Sequence, residues 1–354
     1  MRVAFYYHQE PRLPRDHPYN NPYGAIIAEG LERLGVKVEF VTDYSETFLR
    51  ENQGRINVLH HHWPHHDYYH NDAAVMERRM RAFVRALELA RELGYKLVWT
   101  AHNIYPHNRT HWAIDHTCRL ELCRLATAVI AHCDLAAEGV RTTFGRRHNL
   151  FVIPHPHFIG IYPRSASREQ ARSILGIPAD AFIYGFFGSI QPYKGIEELI
   201  ESFRRLPDDD AWLVIAGGNS RQPEYLDTIH ERADSLPRIV LRTYQRAPSE
   251  ELTRVMQASD VIVLPFRATT TSGTLMLALS WGRPVIAPAL GCLPMTVPPL
   301  AGILYDPTAS DPLPQAMTEL RRMDLVRASD AAVAAARRFD WDEIAAATLR
   351  AYQA

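Results

Sequence analysis

The stretch Arg267–Gly291, RATTTSGTLMLALSWGRPVIAPALG, carries no charge between Arg267 and Arg283 and sets five hydroxyls around Gly273, just ahead of an apolar run. If a helix starts there, its first N–H groups lack intrahelical partners and its dipole favours negative charge. Gly273 lets the backbone come close to a guest, and Thr271, Ser272 and Thr274 add hydroxyl donors. A phosphate fits this set. The competing reading is plain helix capping, which needs only one such hydroxyl. A second stretch, YGFFGSIQPYKGIEELIESF, places Gly188, Ser189 and Lys194 on the turn between a strand and a helix. An ammonium there is placed to neutralise a diphosphate. Neither stretch has the glycine spacing of a Walker loop or a dinucleotide fingerprint.

Transfer of a group to a hydroxyl at such a site could also call on a general base, which is commonly Asp, Glu or His. The first half of the chain offers His102 in TAHN, Asp115 in HWAIDH, and Glu10 and Asp16 in the long loop HQEPRLPRDHPYNNPYG. Tyr23, His62 and Asn103, with Asp16, are expected to line the acceptor side. HHHWPHHDYYH invites a metal reading. In a strand, however, His60 and His62 share one face while His61 takes the other, so cleft-lining or hydrogen-bonded histidines are expected, with no metal. Asp208–Asp210, in PDDDAW, falls between a helix and the start of a strand, the wrong end of a sheet for a ligand, and reads as a solvated turn.

These residues need a scaffold, and the pattern supplies one. Short apolar runs alternate with helical periodicity: RVAFYY, KVEFVT, NVLHHHW, KLVWTAH and AVIAHC in the first half, then FIYGFFGSI, WLVIAGG, IVLRTY, VIVLPF and PVIAPA. Such alternation signals parallel sheets covered on both faces. Two series predict two doubly wound domains, 1–162 and 163–338. The closing 339–354 is an amphipathic helix able to pack on its own domain or cross back to the first. The 354 residues are 47% hydrophobic and 22% charged, enough for two cores. The net charge of -1 without long single-sign blocks argues against nucleic acid. No apolar run reaches the ~20 residues of a membrane span, and no signal peptide opens the chain, so a cytoplasmic protein is expected. Cys118, Cys123, Cys133 and Cys292 lack CxxC pairing and read as reduced core residues.

Taken together, NPYGAIIAEGLERLG, WTAHNIYPHN, VIPHPH, GSIQPYKGIEELI, SEELTRVMQASDVIVLPF, SGTLMLALSWGRPVIAP and FDWDEIAAATLRAYQ resemble, in order and spacing, bacterial glycosyltransferases of the GT-B fold, near the large retaining family of polysaccharide assembly. The resemblance implies two Rossmann-like domains facing a cleft, with a UDP-sugar or GDP-sugar bound mainly by the second domain and an acceptor by the first. It places the donor diphosphate on Lys194 and on Ser272, Gly273 and Thr274, sets Gly24 facing it, and brings His102 near the donor sugar. Two departures stand out. The family's paired Glu positions align with Thr269 and Leu277, and its usual arginine after Gly188 is Ser189. Arg267 or Arg246 is then expected to supply the missing charge.

The resulting expectation is a metal-independent hexosyltransferase that needs no cofactor beyond its nucleotide-sugar. Its acceptor would be lipid-linked or an oligosaccharide, in exopolysaccharide or glycoconjugate assembly, with peripheral contact at the inner membrane face allowed by basic and aromatic residues. Two rivals stay open: a sugar-nucleotide epimerase of the same fold, and a non-catalytic nucleotide-sugar-binding protein.

Overall fold

The computed structural model describes residues 1–7, 21–106, 111–164, 166–218 and 222–354. These divide into two compact units. One comprises 1–7, 21–156 and 339–354, and the other 157–338, so the chain passes between them six residues ahead of Tyr162. Glu10 and Asp16 lie outside the described residues.

The first unit holds strands β1 (Arg2–Tyr6), β2 (Lys37–Val41), β3 (Val58–His61), β4 (Lys96–Thr100), β5 (Ala128–Ala131) and β6 (Leu150–Val152), all parallel, in the order β2-β1-β3-β4-β5-β6. Helices cover both faces, which explains why these strands read as continuous apolar runs. Ala4, Tyr6, Leu59, Leu97 and Trp99 build the core on one face. Val3, Phe5, Val58, Val98 and Ile130 build the other.

The second face is closed by the C-terminal helix, Trp341–Gln353. Its Ile344, Ala351 and Tyr352 are buried in that core, and it crosses the helix Tyr23–Arg33 so closely that a Cβ on Gly30 would come within 2.6 Å of the Ala345 Cβ. Its end is anchored through polar groups. The Tyr352 hydroxyl pairs with His60 Nδ1 at 2.7 Å, His60 Nε2 pairs with Thr100 Oγ1 at 2.8 Å, and Lys96 Nζ donates to the Tyr352 and Ala354 carbonyls. His60 is therefore a hydrogen-bonded structural residue.

The second unit holds β7 (Phe182–Phe187), β8 (Ala211–Gly218), β9 (Ile239–Tyr244), β10 (Val261–Val263), β11 (Val285–Pro288) and β12 (Gly302–Tyr305), again all parallel, in the order β12-β11-β10-β7-β8-β9. Both sheets are doubly wound, as the alternation predicts. Asp208 and Asp210, at the entry to β8, pair with Arg321, and Asp209 with Arg238, so PDDDAW is a charged surface turn. Cys118 and Cys123 are buried free thiols. Cys133 and Cys292 are not free thiols, and for them the expectation of reduced cysteine fails. Among the described residues, no helix is long and apolar enough to cross a membrane, and no three His, Cys, Asp or Glu side chains converge on a metal-sized site.

Candidate functional site

Each sheet reverses its winding at one place, and in open α/β sheets ligands bind outside the carboxyl ends of the strands at that point. In the second sheet the reversal lies between β7 and β10. The loops that leave these two strands are the ones that carry Gly188 to Lys194 and Arg267 to Ser272. Gly188 takes a φ of +154°, which favours glycine, and a Cβ there would face Thr274 Oγ1 at 3.7 Å, so the two turns lie side by side. The Arg267 N–H donates to the Tyr193 carbonyl at 2.9 Å and ties them together.

Helix Gly273–Ser280 starts as predicted. Ser272 is its N-cap: the hydroxyl accepts from the Leu275 N–H at 3.1 Å. The capping reading is thus realised for that residue. Capping uses one hydroxyl and one N–H, and among the described residues the Gly273 and Thr274 N–H groups and the Thr271 and Thr274 hydroxyls have no partner. Thr269 Oγ1 donates to the Thr271 carbonyl at 3.0 Å, and Leu277 is buried, so neither presents an acidic group.

Lys194 is half-buried. Its ammonium lies over the Phe266 ring at 4.3 Å and the Tyr193 ring at 5.1 Å, with no carboxylate partner among the described residues. Burial lowers its pKa to about 8. The close approach depends on Gly195, at φ +69°, because a Cβ there would sit 2.0 Å from the Pro265 carbonyl oxygen. Ser189 hydrogen-bonds the Tyr193 side chain and so steadies the same turn.

Arg267 does not supply a free charge. Its Nε and Nη2 are paired with Glu198 at 2.6 Å and Glu197 at 2.8 Å, and Nη1 donates to the Pro192 carbonyl at 3.1 Å. With two carboxylates on one guanidinium the local charge is negative. The residue therefore braces the lysine turn, which corrects the expectation that it replaces the missing arginine.

In the first sheet the reversal lies between β1 and β3. His62 follows β3, His102 follows β4, His132 follows β5 and His155 follows β6, so histidines occupy the carboxyl edge of four adjacent strands. Neighbouring rings connect. His62 Nδ1 lies 3.2 Å from His102 Nε2, His102 Nδ1 lies 3.1 Å from His132 Nε2, and His132 Nδ1 lies 2.9 Å from the Ile153 carbonyl. Tyr23 packs edge-on to His102 at 5.0 Å and Trp63 stacks on it at 4.5 Å.

Burial, then the neighbouring imidazoles, hold His62 and His102 well below the usual range. Burial brings His132 to about 4, and burial with His132 brings His155 to about 3. All four rings are therefore neutral at pH 7. His61 lies on the opposite face, stacked on Tyr6 at 4.6 Å, as the strand alternation requires.

The structure separates the two residues expected to act as catalysts. Asp115 is fully buried, and its carboxylate acts electrostatically on Tyr68 and Cys118, beside Arg119, rather than joining His102. Arg119 Nη1 in turn donates to the Asn103 carbonyl at 3.1 Å, so this buried cluster supports the loop after β4. Gly24 also has a packing reason: a Cβ would meet the Tyr7 ring at 2.9 Å. His132, His155, Tyr7 and Trp63 were not singled out from the sequence. The available signal was that NVLHHHW, KLVWTAH, AVIAHC and VIPHPH each end an apolar run with histidine.

Residues 181–322, which span the lysine turn and the hydroxyl turn, match the family described as Glycosyl transferases group 1. This stretch is a group 1 glycosyltransferase domain. Among curated relatives, a D-inositol 3-phosphate glycosyltransferase of Corynebacterium aurimucosum is 30% identical over 264 residues, 69% of this chain and 63% of that protein. A GDP-mannose:glycolipid 4-beta-D-mannosyltransferase of Xanthomonas campestris pv. campestris is 30% identical over 239 residues, 66% of this chain and 62% of that protein. The chain thus spans less than two thirds of either relative. Among solved structures, the Anabaena protein HepE in complex with UDP-glucose matches with a TM-score of 0.73 over 99% of both chains at 18% identity, which shows the fold of the glycosyltransferase domain and of the unit preceding it.

Proposed function

We infer that this protein transfers a sugar from a nucleotide diphosphate sugar to a lipid-linked or oligosaccharide acceptor, the second unit holding the donor and the first the acceptor. One observation carries the reading: at the β7/β10 reversal a half-buried ammonium with no carboxylate partner among the described residues lies on the turn beside the open N–H groups of a helix start. A diphosphate satisfies both, and fixed cations and backbone donors stabilise the charge that builds on it as it leaves. Lys194, Gly188, Thr271, Ser272, Gly273 and Thr274 hold it, and no metal is required for that task.

The family match and the two relatives support glycosyl transfer. UDP-glucose bound to HepE and the GDP-mannose in the name of the Xanthomonas relative support a nucleotide-sugar donor, with uridine and guanosine both in play. A glycolipid acceptor agrees with that relative's name and with Trp112 and Leu135, 53% and 58% exposed at the starts of the helices Trp112–Leu125 and Asp134–Phe144. These side chains suit peripheral contact with a membrane, where glycoconjugate assembly takes place.

The test is a thermal-shift and nucleotide-release panel of UDP- and GDP-sugars, with and without EDTA, on the parent protein and Lys194→Ala. Stabilisation by one nucleotide family, indifferent to EDTA and lost in the variant, is expected. A parent that no nucleotide-sugar stabilises refutes the donor site.

A further inference from the structure

The hydrogen bonds along the strand edge of the first unit have a direction. The Ile153 carbonyl can only accept, so His132 carries its proton on Nδ1. A neutral His132 then offers only a lone pair at Nε2, so His102 donates to it from Nδ1. His102 in turn has only a lone pair at Nε2, and His62 donates to it from Nδ1. One protein acceptor thus sets the tautomer of three rings, because the bond made by one nitrogen decides the state of the other. Both nitrogens of His102 are consumed. The nitrogen left over is His62 Nε2, which is buried and has no partner among the described residues, on a residue 1% exposed. Leaving a buried lone pair unpaired is unfavourable, and this one lies at the β1/β3 reversal, where the fold puts ligands.

We propose that His62 Nε2 is the atom that receives the hydroxyl of the acceptor substrate, and that His102 and His132 are positioning residues that fix its tautomer. The proposal rests on the glycosyl-transfer reading above. In the step, the acceptor O–H bond breaks as its oxygen bonds to the anomeric carbon, and the nucleoside diphosphate departs with the bonding pair. The proton goes to His62 Nε2. The Nδ1 protons of His62 and His102 each shift to the next ring, and the charge ends on His132, whose Nδ1–H faces the Ile153 carbonyl. Tyr7, Tyr23 and Trp63 surround the His62 ring at 5.4, 5.8 and 6.1 Å, so a ligand reaches Nε2 only as these rings give way.

The test begins with nitrogen NMR of histidine-labelled, ligand-free protein at pH 7.5. His62, His102 and His132 are expected to be protonated at Nδ1 alone, and an Nε2-protonated ring among them overturns the relay. His132→Asn, whose shorter side chain leaves no acceptor at the Nε2 position that faces His102, should release His102 to a mixture of tautomers; an unchanged His102 spectrum overturns the positioning role. Nucleotide release from the nucleotide-sugar that stabilises the parent then tests His62. His62→Asn keeps a donor near the Nδ1 position and removes Nε2, so release should slow by about a hundredfold or more while nucleotide stabilisation persists. Release at the parental rate overturns the assignment. A parent that no nucleotide-sugar stabilises refutes the donor reading, and with it the role of His62, whereas the tautomers, read without ligand, still decide the relay.

Discussion

The buried histidines make the first unit sensitive to mild acid. His60, His62, His102 and His132 are each at most 6% exposed, and burial holds the pKa of each below the ordinary value, His132 to about 4. In the unfolded chain the same rings titrate near 6.5. A base whose folded pKa is depressed binds protons mainly in the unfolded state, so stability is complete above about pH 6.5 and is lost as pH falls below it. Between pH 7.5 and 5.5 each ring forfeits about 1.4 kcal/mol; with His155, which burial and His132 bring to about 3, five forfeit about 7 kcal/mol, comparable with the whole stability of many domains. The carboxylates with lowered pKa, such as Asp72 and Asp210, begin below about 4.5 and stay out of this window.

Hydrogen exchange resolved by peptide separates the two units, which a single melting curve does not. Opening free energies for β3, β4 and β5 should fall by several kcal/mol between pH 7.5 and 5.5, while those for β7, β8 and β10 stay within about 1 kcal/mol. His132→Phe should reduce the pH-dependent loss by about a fifth, since one of five such rings is gone. Equal loss in both units, or none in the first, would refute the argument that these rings are buried neutral.

Three further outcomes follow from single contacts. Lys194→Ala should weaken nucleotide-sugar binding about 10- to 100-fold, the scale of a charge-assisted contact, in a titration calorimeter. In the parent, affinity should fall as pH rises through about 8, where the lysine loses its proton. Gly195→Ala places a Cβ 2.0 Å from the Pro265 carbonyl at a positive φ, and a loss of about 2 kcal/mol or more is expected in denaturant unfolding of the second unit. Tyr352→Phe removes the partner of His60 Nδ1; a loss of about 1 to 3 kcal/mol should appear in exchange of β3 peptides and not of β7.

Why some of this was legible in the sequence and some was not has a physical basis. Parallel strands buried on both faces must be apolar throughout, so the two series of runs declared both sheets, and a glycine or hydroxyl cluster directly after such a run declared a turn at the ligand-binding edge. Lys194 and Ser272 were visible because their local neighbours specify what they do. Arg267 was misread because its charge is cancelled by Glu197 and Glu198, 69 or 70 positions away in the chain. Asp115 was misread because a carboxylate in a helix carries no sign of which face it lies on, and here that face meets Tyr68.

The histidine row is the instructive case. Each histidine taken alone reads as a satisfied core residue, and the strand order that makes β3, β4, β5 and β6 neighbours is not written in any one motif. Once the order is known, the regularity acquires meaning. A histidine at the same register on adjacent parallel strands places rings about one strand spacing apart, ~4.8 Å, and imidazoles at that spacing can bridge nitrogen to nitrogen. The 3.1 Å bond between His102 and His132 is that geometry, whereas His62 stands level with Thr100 and reaches His102 on the diagonal at 3.2 Å. The direction of the chain then depends on the Ile153 carbonyl, a backbone group that the sequence does not single out. A strand-end His in one apolar run is weak evidence of chemistry, but the same residue ending successive runs of a doubly wound sheet is evidence of a connected row, and its open end is where to look for the substrate.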